Sequence, residues 1–256
     1  MYRYHIVIGL RSANMSVKVL PIICLSALIH IVSGDSLLTP CRTDDVECLS
    51  KTTSQFLSNT CKGIPEYDIQ AIDPLTISSI DYQAPSETGV IFHFKNLVVT
   101  GLKDQQFSDF KMDTAKQEVV LTTNANINIV GDVTAEFSKN AKTFDGTFTL
   151  SGSVAGTATY SYSFKKDDKG VTHYEVGPET ITCHVMGEPK LTIGPELEAA
   201  LNADPEIKAM KEKQKQTLTL RKAVLCHITS RSYVTVIHNI RAAAKILPTT
   251  SFLIGV

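Results

Sequence analysis

A period of two governs the middle of the chain. From Val119 to Phe137 the odd positions read Val, Leu, Thr, Ala, Ile, Ile, Gly, Val, Ala, Phe, while the even ones are mostly Thr, Asn, Asp and Glu. From Phe144 to Phe164 the even positions read Phe, Gly, Phe, Leu, Gly, Val, Gly, Ala, Tyr, Tyr, Phe, and the odd ones are mainly Thr and Ser. Such alternation predicts antiparallel strands with one dry and one wet face. Both runs exceed an ordinary strand in length. Gly146, Gly152 and Gly156 fall on the dry face and remove side chains there, which lets a sheet bend sharply. A long, bent, one-sided sheet has to wrap around something apolar.

The C-terminal third supplies that object. Asp204 is a plausible N-cap with Pro205 at the first helical position, and no Gly or Pro follows until beyond Lys245. A helix of that length spans roughly 60 Å. Its first turns are highly charged, and its later turns place Leu218, Leu225, Ile228, Ser232, Val236, Ile240, Ala244 and Leu247 at three- and four-residue steps, up to the stop at Pro248. Near the start of the chain, residues 45–59 space Val46, Leu49, Thr53, Phe56 and Leu57 as a short amphipathic helix. The segment 62–77 between this helix and the strands carries Pro65 and Pro74 and reads as extended.

The first 34 residues are of another kind. They hold Arg3, Arg11 and Lys18 but no acid, then an apolar core from Val19 to Val32 that ends in Ser33-Gly34. A basic start, a short apolar core and small residues before a cut describe a secretory signal peptide, with cleavage expected after Gly34. Met15 would serve equally as the start. Without the leader the chain carries 22 Lys and Arg against 26 Asp and Glu, a net charge near −4. No basic excess points to nucleic acid, and no later apolar run is long enough for a membrane span. Residues 35–256 read as a single domain, 1–34 as the removed leader.

Export changes how the cysteines are read. Cys41, Cys48, Cys61, Cys183 and Cys226 remain. Their spacing suits neither a zinc site nor a Cys-x-x-Cys redox motif, so no metal is expected. Cys41 and Cys48 are expected to bond to each other around a solvated acidic turn. A Cys183–Cys226 bond would fasten the long helix to the sheet and leave Cys61 as the odd thiol.

Catalytic signatures are missing from the sequence: no Gly-x-Ser-x-Gly, His-Glu-x-x-His or phosphate-binding loop occurs. His93 and His173 read as outward-facing strand residues, and His238 as a packed or capped helix residue. Asn59-Thr60-Cys61 is a weak glycosylation sequon. What remains is a pocket argument. Gly152, Gly156 and Ala158 face an alanine-rich helix, which means either close packing or an internal cavity. Tyr160 and Tyr162 share the dry face with Phe164, and buried phenols need partners. Those partners are backbone groups at the rim, or an oxygen on a bound apolar ligand.

Several stretches together resemble a known family: "PCRTDDVECL" (40–49), "GIPEYDIQAIDPL" (63–75), "FKNLVVTGLKDQQFSDFKMDT" (94–114), "IVGDV" (129–133), "ETITC" (179–183) and "VIHNIRAAAKILP" (236–248). The chain is similar to the haemolymph juvenile hormone binding proteins of moths, within the takeout-like secreted carriers. The basic lead before Met15 departs from the family pattern. The resemblance implies an α+β fold of tubular lipid-binding type, with a long C-terminal helix wrapped by a highly curved antiparallel sheet. It implies the disulfides Cys41–Cys48 and Cys183–Cys226. It implies a monomeric, non-enzymatic extracellular carrier with no cofactor, holding a small hydrophobic ligand between sheet and helix under an N-terminal lid helix. That ligand is juvenile hormone, a sesquiterpenoid epoxide methyl ester, or in a generalist carrier a fatty acid or terpenoid odorant. Tyr160 takes the place of a ligand-bonding phenol, with Tyr162 as second choice. Phe164, Val236 and Ile240 complete the expected ligand contacts, and Val46, Leu49, Phe56 and Leu57 the inner face of the lid.

Overall fold

The computed structural model describes residues 38–85, 89–139, 141–211 and 214–255. The expected signal peptide therefore lies outside the described residues. The elements run β1 (Cys41–Arg42), α1 (Val46–Thr60), β2 (Leu75–Gln83), β3 (Val90–Thr100), β4 (Gln106–Asp113), β5 (Glu118–Phe137), β6 (Lys142–Lys166), β7 (Thr172–Ile193), α2 (Pro195–Ala203), α3 (Pro205–Lys211), α4 (Gln214–Ile246) and β8 (Leu253–Ile254). Leu37–Val256 forms one compact unit.

Strands β2, β3, β5, β6 and β7 form one sheet in that order, all antiparallel, with β4 beside β3 on the same edge of β5. The expected α+β architecture is thus the one adopted. The hairpin β5–β6 stays in register from Glu118↔Ser161 to Phe137↔Lys142. Its dry positions follow the alternation: odd residues of β5 other than Gly131, and even residues of β6 from Phe148 to Tyr162 other than Gly152, are buried, and the residues between them are not. Bulges between Lys95 and Val98, Phe107 and Asp109, Ser151 and Ser153, and Tyr160 and Tyr162 bend the strands. The sheet curls around α4, which packs chiefly on β7.

The dry-face glycines answer the choice between close packing and cavity at their positions. A side chain on Gly152 would meet Leu225 Cδ2 at 2.8 Å, and one on Gly156 would meet Tyr233 Cε1 at 2.6 Å. Each glycine is a seat for a helix side chain. Tyr233 is fixed there because its hydroxyl bonds Thr123 Oγ1 at 2.8 Å, and Thr123 is the polar member of the dry series on β5. Opposite Gly156 stands Cys183, whose disulfide to Cys226 ties α4 to the sheet one strand away. The Cys41–Cys48 bond is also formed, and Cys61 is free.

The helix expected to run on from Pro205 is described over Pro205–Lys211 and Gln214–Ile246, residues 212–213 lying outside the described residues. Other expectations needed correction. Helix α2 precedes Pro205 unforeseen. Asp204 does cap α3, accepting from the Glu206 and Ile207 amides at 3.0 and 3.2 Å. The buried surface of α4 is wider than one stripe. Tyr233, Ile237 and Asn239 are buried beside the predicted positions, because the curled sheet and the 61–73 segment enclose the helix on several sides. Asn239 Nδ2 donates to Gln70 O at 2.7 Å, and its Oδ1 accepts from Gln70 N at 2.8 Å. That segment is not simply extended: Pro65–Tyr67 make a turn of 3-10 helix. The acids near Cys48 are not merely solvated, since Asp45 caps α1 by accepting from the Cys48 amide at 3.0 Å. His173 is more enclosed than an outward-facing residue, with a ring nitrogen 3.1 Å from Leu247 O.

The glycine seats give a direct test. Gly156→Ala places a methyl against a ring that a hydrogen bond holds, so it should cost about 1–3 kcal/mol. Urea unfolding should show a lower midpoint at unchanged slope. An unchanged midpoint would mean that Tyr233 is not seated tightly.

Candidate ligand-binding cavity

Beyond the glycine seats α4 carries alanines where it earlier carried Leu225 and Tyr233. Ala243 and Ala244 face large strand residues across a gap, and a cavity of about 100 Å³ opens there. Leu49 and Phe56 of α1 close one side, Phe107, Phe110 and Met112 of β4 another, and Phe252 and Leu253 of the C-terminal segment a third. The sheet contributes Leu121, Tyr160 and Tyr174, and α4 adds Ile240.

Among the described residues, none that lines the cavity carries a charge. Four carry hydroxyls: Thr52, Thr53, Tyr160 and Tyr174. Thr52 Oγ1 is already engaged, accepting from the Thr39 amide at 2.7 Å. Burial pushes the Tyr160 phenol up to about 12, opposed in part by the Tyr174 hydroxyl. Tyr174 is raised further still, by burial and then by Tyr160 itself. Both phenols keep their protons at any ordinary pH, so this wall offers neutral hydrogen-bond donors in dry surroundings. An oxygen that can only accept fits such a wall, and an ionised group does not.

Two devices hold the walls. Cys41–Cys48 fastens the start of α1 to β1, and β1 pairs in parallel with β8, Cys41 donating its amide to Phe252 O at 3.1 Å. The lid and the C-terminal wall are therefore one tied unit. Behind the sheet wall, Arg241 Nε and Nη2 donate to Val176 O at 3.0 Å and Gly177 O at 2.8 Å, and Nη2 also pairs with Glu179. These bonds satisfy strand carbonyls where the bulge separates Tyr160 from Tyr162.

Of the residues expected from sequence, Tyr160, Ile240, Leu49 and Phe56 line the cavity; Tyr162, Phe164, Val236, Val46 and Leu57 do not. Tyr162 keeps the dry-face parity of Tyr160, but its ring stacks on Tyr174 at 5.3 Å and does not reach the cavity. Phe164 lies near the strand end and is 40 % exposed. Val236 is about two helical turns short of Ala243 and Ala244 and joins the core of the glycine seats. Leu57 is fully buried in that same core, about 100° round the helix from Phe56, and Val46 is exposed at the first turn of α1. Sequence reasoning missed Tyr174, although "THYEV" alternates and puts Tyr174 with Val176 on the dry face. It also missed the wall from β4, because the bulge between Phe107 and Asp109 shifts the dry face from odd to even positions, Phe110 and Met112.

Residues 19–182 match the family model described as haemolymph juvenile hormone binding protein. The chain is 50 % identical over 222 residues to the juvenile hormone-binding protein of Manduca sexta, covering 86 % of this chain and 97 % of that one. The fold is similar to the crystal structure of Takeout 1 from Epiphyas postvittana, with a TM-score of 0.66 at 19 % identity, over 84 % of this chain and 98 % of that one. With half of its residues shared along nearly the full length of such a relative, the chain belongs to the haemolymph juvenile hormone binding protein family.

Proposed function

We propose that this protein is a non-enzymatic extracellular carrier of juvenile hormone, which dissolves the hormone in haemolymph and shields it from hydrolysis by enclosure. The leader, residues 1–34, directs export, and the carrier works as a monomer. No helix among the described residues is long and apolar enough to cross a membrane. The observation that carries the reading is the chargeless lining with a protonated, buried phenol, Tyr160, in it. A sesquiterpenoid epoxide ester has oxygens that accept hydrogen bonds and nothing that donates one.

The energetics fit this division of labour. Burying roughly 350 Å² of apolar ligand surface yields about 9 kcal/mol, and association takes back about 4 kcal/mol or more. The remainder supports only weak binding. A donor to the buried oxygen adds about 1–3 kcal/mol, by sparing it from desolvation without a partner. The cavity of about 100 Å³ has room for roughly three water molecules. A sesquiterpenoid ester needs more room, so α1 has to yield for entry and settle again over the ligand.

Incubating pure protein with radiolabelled hormone tests the reading. The hormone should be recovered unchanged and bound one to one, whereas release of hormone acid would make the protein a hydrolase. Tyr160→Phe should weaken binding by about 5- to 150-fold with little change in melting temperature, and an unchanged dissociation constant would remove Tyr160 from the site. Replacing Cys41 and Cys48 together by serine unties α1 from the C-terminal wall. The hormone off-rate should then rise at least about threefold, and equal off-rates would show that the clasp has no part in closure.

A further inference from the structure

The lid brings a hydroxyl of its own to the cavity. Leu49, Thr52, Thr53 and Phe56 of α1 line it, and their spacing of three and four residues puts them on one face of the helix. Thr52 Oγ1 is turned to the Thr39 amide, 2.7 Å away. Thr53 has no such tie. A hydroxyl inside a helix commonly donates to the carbonyl four residues back, as Thr60 does to Phe56 O at 2.7 Å and Ser232 does to Ile228 O at 2.9 Å. Thr53 is partly buried, and among the described residues its hydroxyl has no hydrogen-bond partner. A donor on an otherwise apolar lid face is thus left for whatever fills the cavity.

An epoxide or carbonyl oxygen has two lone pairs and can accept two hydrogen bonds. Thr53 on α1 and Tyr160 on β6 line one hollow of about 100 Å³ from different elements, so an oxygen held there can accept from both. The two bonds differ in kind. The sheet wall offers its donor wherever the lid stands, whereas the Thr53 bond exists only once α1 has settled. A ligand shifts a conformational equilibrium only through interactions that one state makes better than the other. A bond made in the closed state alone holds the lid shut, and its effect falls on release more than on capture.

We propose that Thr53 is the latch of the lid: when α1 settles over the ligand, the Thr53 hydroxyl donates to the same ligand oxygen that accepts from Tyr160, and that one oxygen joins lid to sheet. The site then retains ligands bearing a doubly accepting oxygen and lets hydrocarbons of the same shape go. This rests on the reading of the chain as a carrier with Tyr160 as the ligand's donor.

Release rates of two probes test it: methyl epoxyfarnesoate, which carries acceptor oxygens, and the hydrocarbon farnesene, which carries none. Thr53→Val removes the hydroxyl and keeps the branched shape. It should raise the ester off-rate by about 3- to 10-fold and that of farnesene by less than about twofold. Thr53→Ser, which keeps the hydroxyl, should release the ester within about twofold of the wild-type rate. In a Tyr160→Phe background Thr53→Val should add less than about twofold, because the shared oxygen is no longer held in place. Thr53→Ala serves for Thr53→Val if the latter fails to fold. An unchanged ester off-rate overturns the latch. Equal rises for both probes, or a Thr53→Ser variant as fast as Thr53→Val, would reduce Thr53 to packing. Losses that multiply with Tyr160→Phe would put the two hydroxyls on separate oxygens and overturn the bridge. A wild-type protein that binds neither probe would refute the carrier reading and the latch with it. Ester binding that Tyr160→Phe weakens and Thr53→Val leaves untouched would refute the latch alone.

Discussion

A sheet with one long dry face must bury that face against something, and among the described residues the only helix of sufficient length is α4. The β5–β6 hairpin is too long and too one-sided to stay flat in water; it twists without losing register, and bulges in the flanking strands β3, β4 and β7 help the sheet bend until the dry face closes on the helix. The rest of the architecture serves this closure. Glycine seats accept Leu225 and Tyr233, a disulfide locks helix to strand, and Asn239 clamps the 61–73 segment over the remaining helix face. Closure is complete where large helix residues meet small strand residues. Where the helix turns to alanine and the strands carry tyrosine, the surfaces no longer fill the space, and the cavity is that mismatch.

The chemistry of the cavity follows from the same geometry. Phenols that point into a space lined by leucine, phenylalanine and alanine cannot ionise at physiological pH, because burial penalises the phenolate. They remain donors. With no cation on the lining, a bound carboxylate would lose its water and gain no counter-charge. In the adjoining aromatic cluster burial, and then the nearby acid Asp113, likewise disfavour ionisation of Tyr162.

Much of the fold was legible because alternation over some twenty residues and a Gly- and Pro-free helix are patterns that tertiary context seldom overrides. Tyr160, Ile240, Leu49 and Phe56 were legible as lining for the same reason: each sits in an unbroken periodic run. The failures fall where a period breaks. The bulge next to Phe107 swaps the dry parity of β4 and hides Phe110 and Met112. Tyr162 is the exception: it keeps its parity, yet its ring stacks on Tyr174 and does not line the cavity. Glycine positions alone did not say whether they were hollow or filled, because the answer lies in Leu225 and Tyr233 more than sixty residues away in the chain. The C-terminal wall, Phe252 and Leu253, belongs to a segment too short to show any pattern, and only its pairing with β1 reveals its place.

The central claim is that an uncharged, donor-bearing hollow chooses its ligand by charge state and by accepting oxygen. Equilibrium binding of the methyl ester and of its free acid, side by side at neutral pH, tests this most directly. The acid is then ionised and should bind at least about a hundredfold more weakly, with the gap narrowing as the pH falls toward the ligand's own pKa. Equal affinity for ester and carboxylate at neutral pH would contradict the account.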